Sequence, residues 1–479
     1  MVDILLTHSN HLYADRKQIR KMQPYPPLQT VLAAACLRRE GYKVALFDST
    51  FDDPEQGFPE ALARFRPRLV AICEDNFNFL TKMCLTAQRD AAFSMCRAAG
   101  QRGVPVIVNG SDAGDHAADY LAAGADYVIL GELEQTFLEF AQRLLAGGAR
   151  DVKDIAGLAY LEEPDGRERR GAPRAPIQDL NWLPAPAWDL VEMNRYRQHW
   201  REAHGYFSLN MVSSRGCPYR CNWCAKPIYG DTYHFRSPQA IAEEMLHLKS
   251  VHQADHLWFS DDIFALSGQW TRQFADEVEQ RGARIPFKMQ SRCDLMTRDT
   301  VAALRRAGCA EVWMGVESGS QKVLDAMDKD LAAGEVREAR ENLRRHGMRA
   351  CFFLQLGYAG ETWEDIEATI RLVRETAPDD IGVSVSYPLP GTKFYGRVAA
   401  QLGAKQNWSD SDDLAMMFQG SYTTGFYRKL RDALHLEVEI MNGRVNGDAP
   451  ARLRALWDEI ARLEKSSINP NPTLLCNSF

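Results

Sequence analysis

At 479 residues, with 45% hydrophobic and 25% charged side chains, the chain is globular and long enough for about two to four domains. That composition excludes disorder, collagen and a simple coiled coil. A formal net charge of -7 provides no broad positive field, which argues against a protein that grips nucleic acid through its phosphates. The opening Met-Val-Asp-Ile-Leu-Leu-Thr-His has no basic leader ahead of a long apolar run, and no uninterrupted apolar run reaches transmembrane length. The expectation is a cytoplasmic protein with no transmembrane segment, capable of association with a membrane surface.

Asp3–Thr7, Lys43–Phe47, Arg68–Cys73, Val104–Asn109 and Asp126–Leu130 are short runs rich in Val, Ile, Leu and Tyr, and they predict five strands. Leu28–Glu40 follows Pro26-Pro27, has a helical apolar pattern and stops at Gly41. The alternation predicts a doubly wound, Rossmann-like α/β domain over residues 1–148, with a mostly parallel sheet and helices on both faces. Ligands of such sheets meet the carboxyl ends of the strands, here His8–His11, Glu74–Thr81, Asn109–Asp112 and Gly131–Glu134. Thr7–Tyr13 contains no glycine, so the dinucleotide fingerprint is missing.

Residues 149–205 read as a connector: the charged Glu162–Arg170 run suggests a small hairpin, and Pro173–Pro186 a loop. A second series of strands follows at Leu209–Ser213, His256–Ser260, Pro286–Gln290, Glu311–Val316, Ala350–Leu356 and Gly382–Ser386. Helical patterns at Pro238–Lys249, Gly268–Gln280, Arg298–Ala307, Ala333–His346 and Thr362–Val373 separate them. The series predicts a partial (β/α)6 barrel over 206–400, followed by a mainly helical carboxyl-terminal segment over 401–479 with helices near Tyr427–Leu436 and Arg452–Leu463.

Eleven cysteines in a chain without an export signal do not suggest a disulfide framework. Cys36, Cys73, Cys84, Cys96, Cys309, Cys351 and Cys476 are isolated and read as small core residues, and Cys293 and Cys351 read as packing rather than as methyl-carrying catalytic thiols. Only Arg215-Gly216-Cys217-Pro218-Tyr219-Arg220-Cys221-Asn222-Trp223-Cys224 has ligand spacing. Its Cys-x3-Cys-x2-Cys pattern lets one turn gather three thiolates around an inorganic cluster and leaves one of four irons open to a small molecule. Zinc, the alternative, calls for a fourth ligand and usually a second close pair.

With Trp223 in the aromatic position before the third cysteine, the motif resembles that of radical S-adenosylmethionine (SAM) enzymes, and the resemblance covers roughly Leu209 to Thr392. It implies a [4Fe-4S] cluster on Cys217, Cys221 and Cys224, SAM chelated to the open iron, and a 5′-deoxyadenosyl radical that abstracts hydrogen. A one-electron reductant such as flavodoxin or ferredoxin is implied with it. The same resemblance places Trp223 and Asp261 near SAM, Arg292 against its carboxylate, and Glu317 and Ser318 at the ribose hydroxyls. Gly357 and Gly391 stand at later strand ends as close-approach or turn positions.

An α/β domain ahead of such a barrel resembles the cobalamin-binding branch of the family. Pro26-Pro27-Leu28, Asn109-Gly110-Ser111 and Gly131-Glu132-Leu133-Glu134 resemble its corrinoid loops, which implies contacts from Pro27, Asn109, Gly110, Ser111, Gly131 and Glu132. Leu133 departs from the branch's Gly-Glu-Gly-Glu. The Asp-x-His-x-x-Gly loop of many cobalamin proteins is absent, and His8 and His11 read as loop histidines rather than cobalt ligands. Cys224–Gly230, Ser384–Pro390 and Asp410–Met417 are similar to the oxygen-independent magnesium-protoporphyrin monomethyl ester oxidative cyclase group, beside the cobalamin-dependent methylases.

The resemblance implies an enzyme that functionalises an unactivated carbon. C-methyl transfer using methylcobalamin is the leading expectation, oxidative cyclisation with solvent oxygen the alternative, and a corrinoid or iron-sulfur sensor the third. Trp258, Phe264, Tyr387 and Trp408 near the predicted mouth suit a hydrophobic or planar small molecule.

Overall fold

The computed structural model describes all residues except 146–151, 153, 163–165, 227 and 467–479. Gly147, Gly148, Pro227 and Cys476 therefore lie outside the described residues. The chain packs as two compact units. The first holds Met1–Cys217, Lys226–Asp262 and Asn407–Asp413; the second holds Pro218–Ala225, Ile263–Gln406 and the described residues from Leu414 onward.

In the first unit, β1 (Ile4–Thr7), β2 (Val44–Phe47), β3 (Leu69–Cys73), β4 (Val106–Asn109) and β5 (Tyr127–Ile129) pair in parallel in the order β2-β1-β3-β4-β5. These are the five predicted strands. Alternation of side chains along β1 sends Ile4 and Leu6 into one core and Leu5 into the core on the opposite face, so both faces are covered. Each such side chain, completely buried, contributes about 1.5–3 kcal/mol. Two further strands, β6 (Leu158–Glu162) and β7 (Arg167–Arg170), extend the sheet antiparallel beyond β5, so the charged connector run is the outer edge of this sheet. The order reverses beside β1, the place where open α/β sheets open a crevice for ligands.

Later in this unit, β8 (Ser208–Met211) leads into the two-residue β9 (Ser214–Arg215), which pairs antiparallel with β10 (His234–Phe235). β8 itself pairs in parallel with β11 (His256–Phe259). The helix between β10 and β11, Pro238–Ser250, begins with Pro238, and Ser237 caps it by accepting from Ala240 N.

In the second unit, β12 (Phe287–Ser291), β13 (Cys309–Glu317), β14 (Arg349–Leu356) and β15 (Asp380–Val385) pair in parallel in chain order. Helices Arg298–Ala307, Ala333–Arg345 and Trp363–Thr376 connect them, and all six predicted strands of the second series are present. The register between β13 and β14 shifts between Gly315 and Glu317, where Glu317 takes a left-handed φ of 62°. Helices Thr424–Met441 and Ala449–Ser466 follow. Among the described residues no helix is long and apolar enough to cross a membrane.

Candidate functional site

The cysteine loop leaves β9 under tight control. Asp261, completely buried after β11, accepts hydrogen bonds from Ser213 N (3.1 and 3.2 Å) and Ser213 Oγ (2.6 Å), and from Ser214 Oγ. Burial pushes its carboxyl up to about 6 against these hydrogen bonds. Asp261 thus anchors the strand that feeds the loop. Asp262 accepts from Gly216 N at 3.2 Å and pairs with Lys82. Gly216 has φ 80°, and a Cβ there would lie 2.1 Å from Thr232 O, so no other residue fits.

Arg215, one residue before Gly216, is buried with its guanidinium forked onto Glu134 (Nη2 to Oε1 2.6 Å, Nη1 to Oε2 3.1 Å). Its charge also lies over the Tyr229 ring at 4.9 Å. Gln29 donates to Glu134 Oε1 at 2.8 Å and accepts from Tyr229 OH at 2.6 Å. Burial acts to raise the Glu134 carboxyl, but Arg215 and Gln29 hold it below the usual range. Arg215 belongs to the quoted cysteine motif, yet nothing in the sequence assigned it a partner.

The middle of the loop belongs to the second unit. Asn222 donates from its backbone to Met327 O (2.9 Å) and from Nδ2 to Ala326 O (2.8 Å), and accepts from Tyr358 OH (2.8 Å). Trp223 packs against the cluster of Val323, Met327, Tyr358 and Phe394. Arg292 donates to Asp294 Oδ1 (2.9 Å), Lys329 O (2.8 Å) and Asp330 O, and stacks 3.8 Å from the Tyr219 ring centre. These bonds use three of the five N–H groups that a guanidinium offers.

Glu317 is buried at the end of β13, where Lys329 Nζ donates to its Oε1 at 2.8 Å. A Cβ on Gly315 would sit 2.7 Å from Glu317 Oε1 and 2.8 Å from Lys329 Nζ, so the pair lies directly over that glycine. Burial acts to lower the Lys329 ammonium, but Glu317 and Cys221 raise it, and it stays charged. Lys329 carried no sequence signal: it is a single lysine in a loop. Ser318 is completely buried and points to Thr369 Oγ1 at 3.1 Å.

At the carboxyl edge of the amino-terminal sheet, Asn109 donates to Ile129 O (3.1 Å) and Gly131 O (3.0 Å) and accepts from Asn76 Nδ2 (3.0 Å). Gly110 is extended, and its Cβ would fall 2.7 Å from Glu74 Cγ; Gly131, with φ 80°, faces open space. Pro27 opens the helix Leu28–Arg39, its carbonyl accepting from Val31 N at 3.1 Å. Glu132 accepts from Ile177 N at 2.8 Å, and burial pushes its carboxyl up to about 7. Ser111 Oγ, Thr81 Oγ1 and Asn76 Oδ1 are buried at this edge with no protein partner. His8 contacts Asp48 Oδ1 through Nε2 (2.9 Å) and Ser49 Oγ through Nδ1 (3.3 Å), and His11 Nδ1 contacts Ser49 O (2.9 Å).

Cys217, Cys221 and Cys224 are partly exposed, whereas Cys36, Cys73, Cys84, Cys96, Cys293, Cys309 and Cys351 are buried. Burial pushes the thiols of Cys36, Cys96 and Cys293 up to about 12. Among the described residues no three His, Cys, Asp or Glu side chains are already arranged around a metal position. The partly exposed thiols on one loop, with Lys329 and Arg292 in electrostatic reach of Cys221, suit a cluster that supplies its own geometry. Of the aromatic candidates, Phe264, Tyr387 and Trp408 are core residues, Phe264 because it packs against Trp270, Phe274 and Phe287. An aromatic pair not anticipated from sequence, Trp313 and Phe353, stacks at 4.9 Å in the β13–β14 sheet with Phe353 38% exposed.

Residues 211–373 match the radical SAM superfamily. The chain is 29% identical over 285 residues to an uncharacterised methyltransferase of Pyrococcus horikoshii, covering 59% of this chain and 60% of that protein. It is 25% identical over 278 residues to the anaerobic magnesium-protoporphyrin IX monomethyl ester cyclase of Rubrivivax gelatinosus, covering 56% of this chain and 48% of the cyclase. These matches span about half to three fifths of the relatives' own length. In fold, it is similar to the radical SAM methyltransferase TsrM of Kitasatospora setae, solved with cobalamin and a [4Fe-4S] cluster, at TM-score 0.67 and 19% identity over 84% of this chain and 75% of that one.

Proposed function

We propose that the chain, whose residues 211–373 match the radical SAM superfamily, catalyses C-methyl transfer to an unactivated carbon of a hydrophobic or planar small molecule. Cys217, Cys221 and Cys224 would hold the [4Fe-4S] cluster, Glu317 would meet the SAM ribose, and the edge carrying Gly110, Ser111 and Gly131 would hold a corrinoid. When bound, the cluster and SAM supply a hydrogen-abstracting radical, and the corrinoid supplies a transferable methyl group.

The observation that carries the corrinoid reading is the set of buried, unpartnered atoms Ser111 Oγ, Thr81 Oγ1 and Asn76 Oδ1 at the strand ends. An unsatisfied buried polar group costs about 1–3 kcal/mol, and a ligand rimmed with amides would offset that cost. Both ring nitrogens of His8 have protein contacts, Asp48 and Ser49, which supports a scaffold role over that of a cobalt ligand. Lys329 neutralises Glu317, Asn222 pins the loop between its cysteines, and Asp261 fixes the strand ahead of it.

The names of the Pyrococcus relative and of TsrM support methyl transfer; the similarity to the Rubrivivax cyclase supports oxidative cyclisation as the second reading. Anaerobic purification followed by iron and cobalt analysis tests the cofactors, and protein that retains no cobalt after incubation with excess cobalamin and removal of the unbound cofactor would refute the corrinoid. Turnover with methyl-labelled SAM and a one-electron reductant tests the reaction: label and one added methylene in the product indicate methylation, whereas oxygen from solvent water indicates the cyclase route.

A further inference from the structure

Arg215 and Glu134 are 81 residues apart in sequence, yet their side chains are 1% and 0% exposed and joined by two hydrogen bonds. Glu134 lies in the first turn of the helix Leu133–Leu145, just beyond the Gly131 turn. Gln29 lies in the first turn of the helix that starts after Pro27. Asn109 joins the third corrinoid-loop candidate to the same place by donating to Gly131 O at 3.0 Å.

On the other side of the network, Arg215 stands two residues before Cys217, and Tyr229 stands five residues after Cys224. Tyr229 is held by Gln29, by the Arg215 charge and by stacking on Phe77 at 5.3 Å. A Cβ at Gly216 would lie 2.1 Å from Thr232 O and 3.0 Å from Tyr229 O, so the backbone between Arg215 and Cys217 packs directly on those carbonyls. The Gly131 turn and the helix after Pro27 are linked to this backbone through buried, directional contacts and not through a compliant surface.

We propose that the Arg215–Glu134 pair, with Gln29 and Tyr229, is a positioning device that transmits occupancy of the corrinoid edge to the iron-sulfur cluster. The inference rests on the corrinoid reading above. A coupling of this kind needs a contiguous element that both sites bias, and here it is the fork of Arg215 on Glu134.

The test uses the full chain with an isotopically enriched, reconstituted cluster, read by Mössbauer spectroscopy, which reports iron alone, with and without hydroxocobalamin. Wild type should bind cobalamin and show a shifted cluster quadrupole splitting. Glu134→Gln should keep its iron and its cobalamin but lose that shift, and Tyr229→Phe, which removes only the bond to Gln29, should reduce it. An undiminished shift in Glu134→Gln overturns the inference. If that variant does not fold, an undiminished shift in Tyr229→Phe overturns it instead. Failure of the corrinoid reading is separately visible, as wild type that takes up no cobalt, whereas wild type that binds cobalamin without any change at the cluster overturns the coupling alone.

Discussion

Replacing Glu317 by Gln separates a ligand contact from a fold contact at the end of β13. Lys329 engages Oε1 at 2.8 Å and leaves Oε2 for a ribose hydroxyl. A hydrogen bond to a charged group contributes about 1.5–3 kcal/mol, so the exchange should weaken SAM binding roughly ten- to a hundredfold. It also strands Lys329 as a buried cation, and breaking a buried pair costs about 3–5 kcal/mol of stability, which can imitate lost binding. Adding Lys329→Met removes the stranded charge. Stability should then recover in the double variant while SAM affinity stays low. The assay is calorimetric SAM binding to the reconstituted chain, with iron content and urea unfolding measured on both variants. Affinity restored to within about twofold of wild type in the double variant would refute the ribose contact and leave Glu317 a supporting residue for the strand end.

Alanine at Cys217, Cys221 or Cys224 should abolish cluster assembly and 5′-deoxyadenosine formation together; a stable, active four-iron cluster in any one variant removes that cysteine from the ligand set. His8→Ala and His11→Ala should each retain substantial cobalamin by absorbance, since His8 contacts Asp48 and Ser49 through its two ring nitrogens and His11 contacts Ser49 O through Nδ1. Burial pushes the Glu361 carboxyl up to about 8, above its ordinary 4.5, so the folded state holds that proton more tightly and loses stability as pH rises through this window. Glu361→Gln should flatten the fall in urea-unfolding free energy over that range, and an unchanged slope counts against a buried protonated Glu361. Gly216→Ala should yield a chain that retains little iron, because the added methyl meets Thr232 O at 2.1 Å; normal iron content would show that the turn yields.

Strands were legible where neighbouring residues carry the signal. Alternation in Ile4-Leu5-Leu6 names two buried faces, and the spacing of Cys217, Cys221 and Cys224 names a cluster because all three ligands sit on one loop. The site's partners were not legible, since each pair is closed by the fold: Asp261 with Ser213 across 48 residues, Glu134 with Arg215 across 81. Motif resemblance named positions without side-chain directions. Ser318 turns into the helix carrying Thr369, and Arg292 spends donors on Lys329 O and Asp330 O.

Glycines show the same division most sharply. Gly110 is required because Glu74 crowds its Cβ position, Gly131 because its backbone is left-handed, and Gly216 because its backbone is both left-handed and crowded. One letter therefore stands for two physical demands in three combinations, and of these three glycines only Gly131 leaves room above the backbone. A corrinoid held as proposed at this edge would meet the open Gly131 and the orphaned Ser111 hydroxyl. Asn109 and Glu134 are already committed to protein partners, so their hydrogen bonds need not be rearranged for a ligand to be held at this edge.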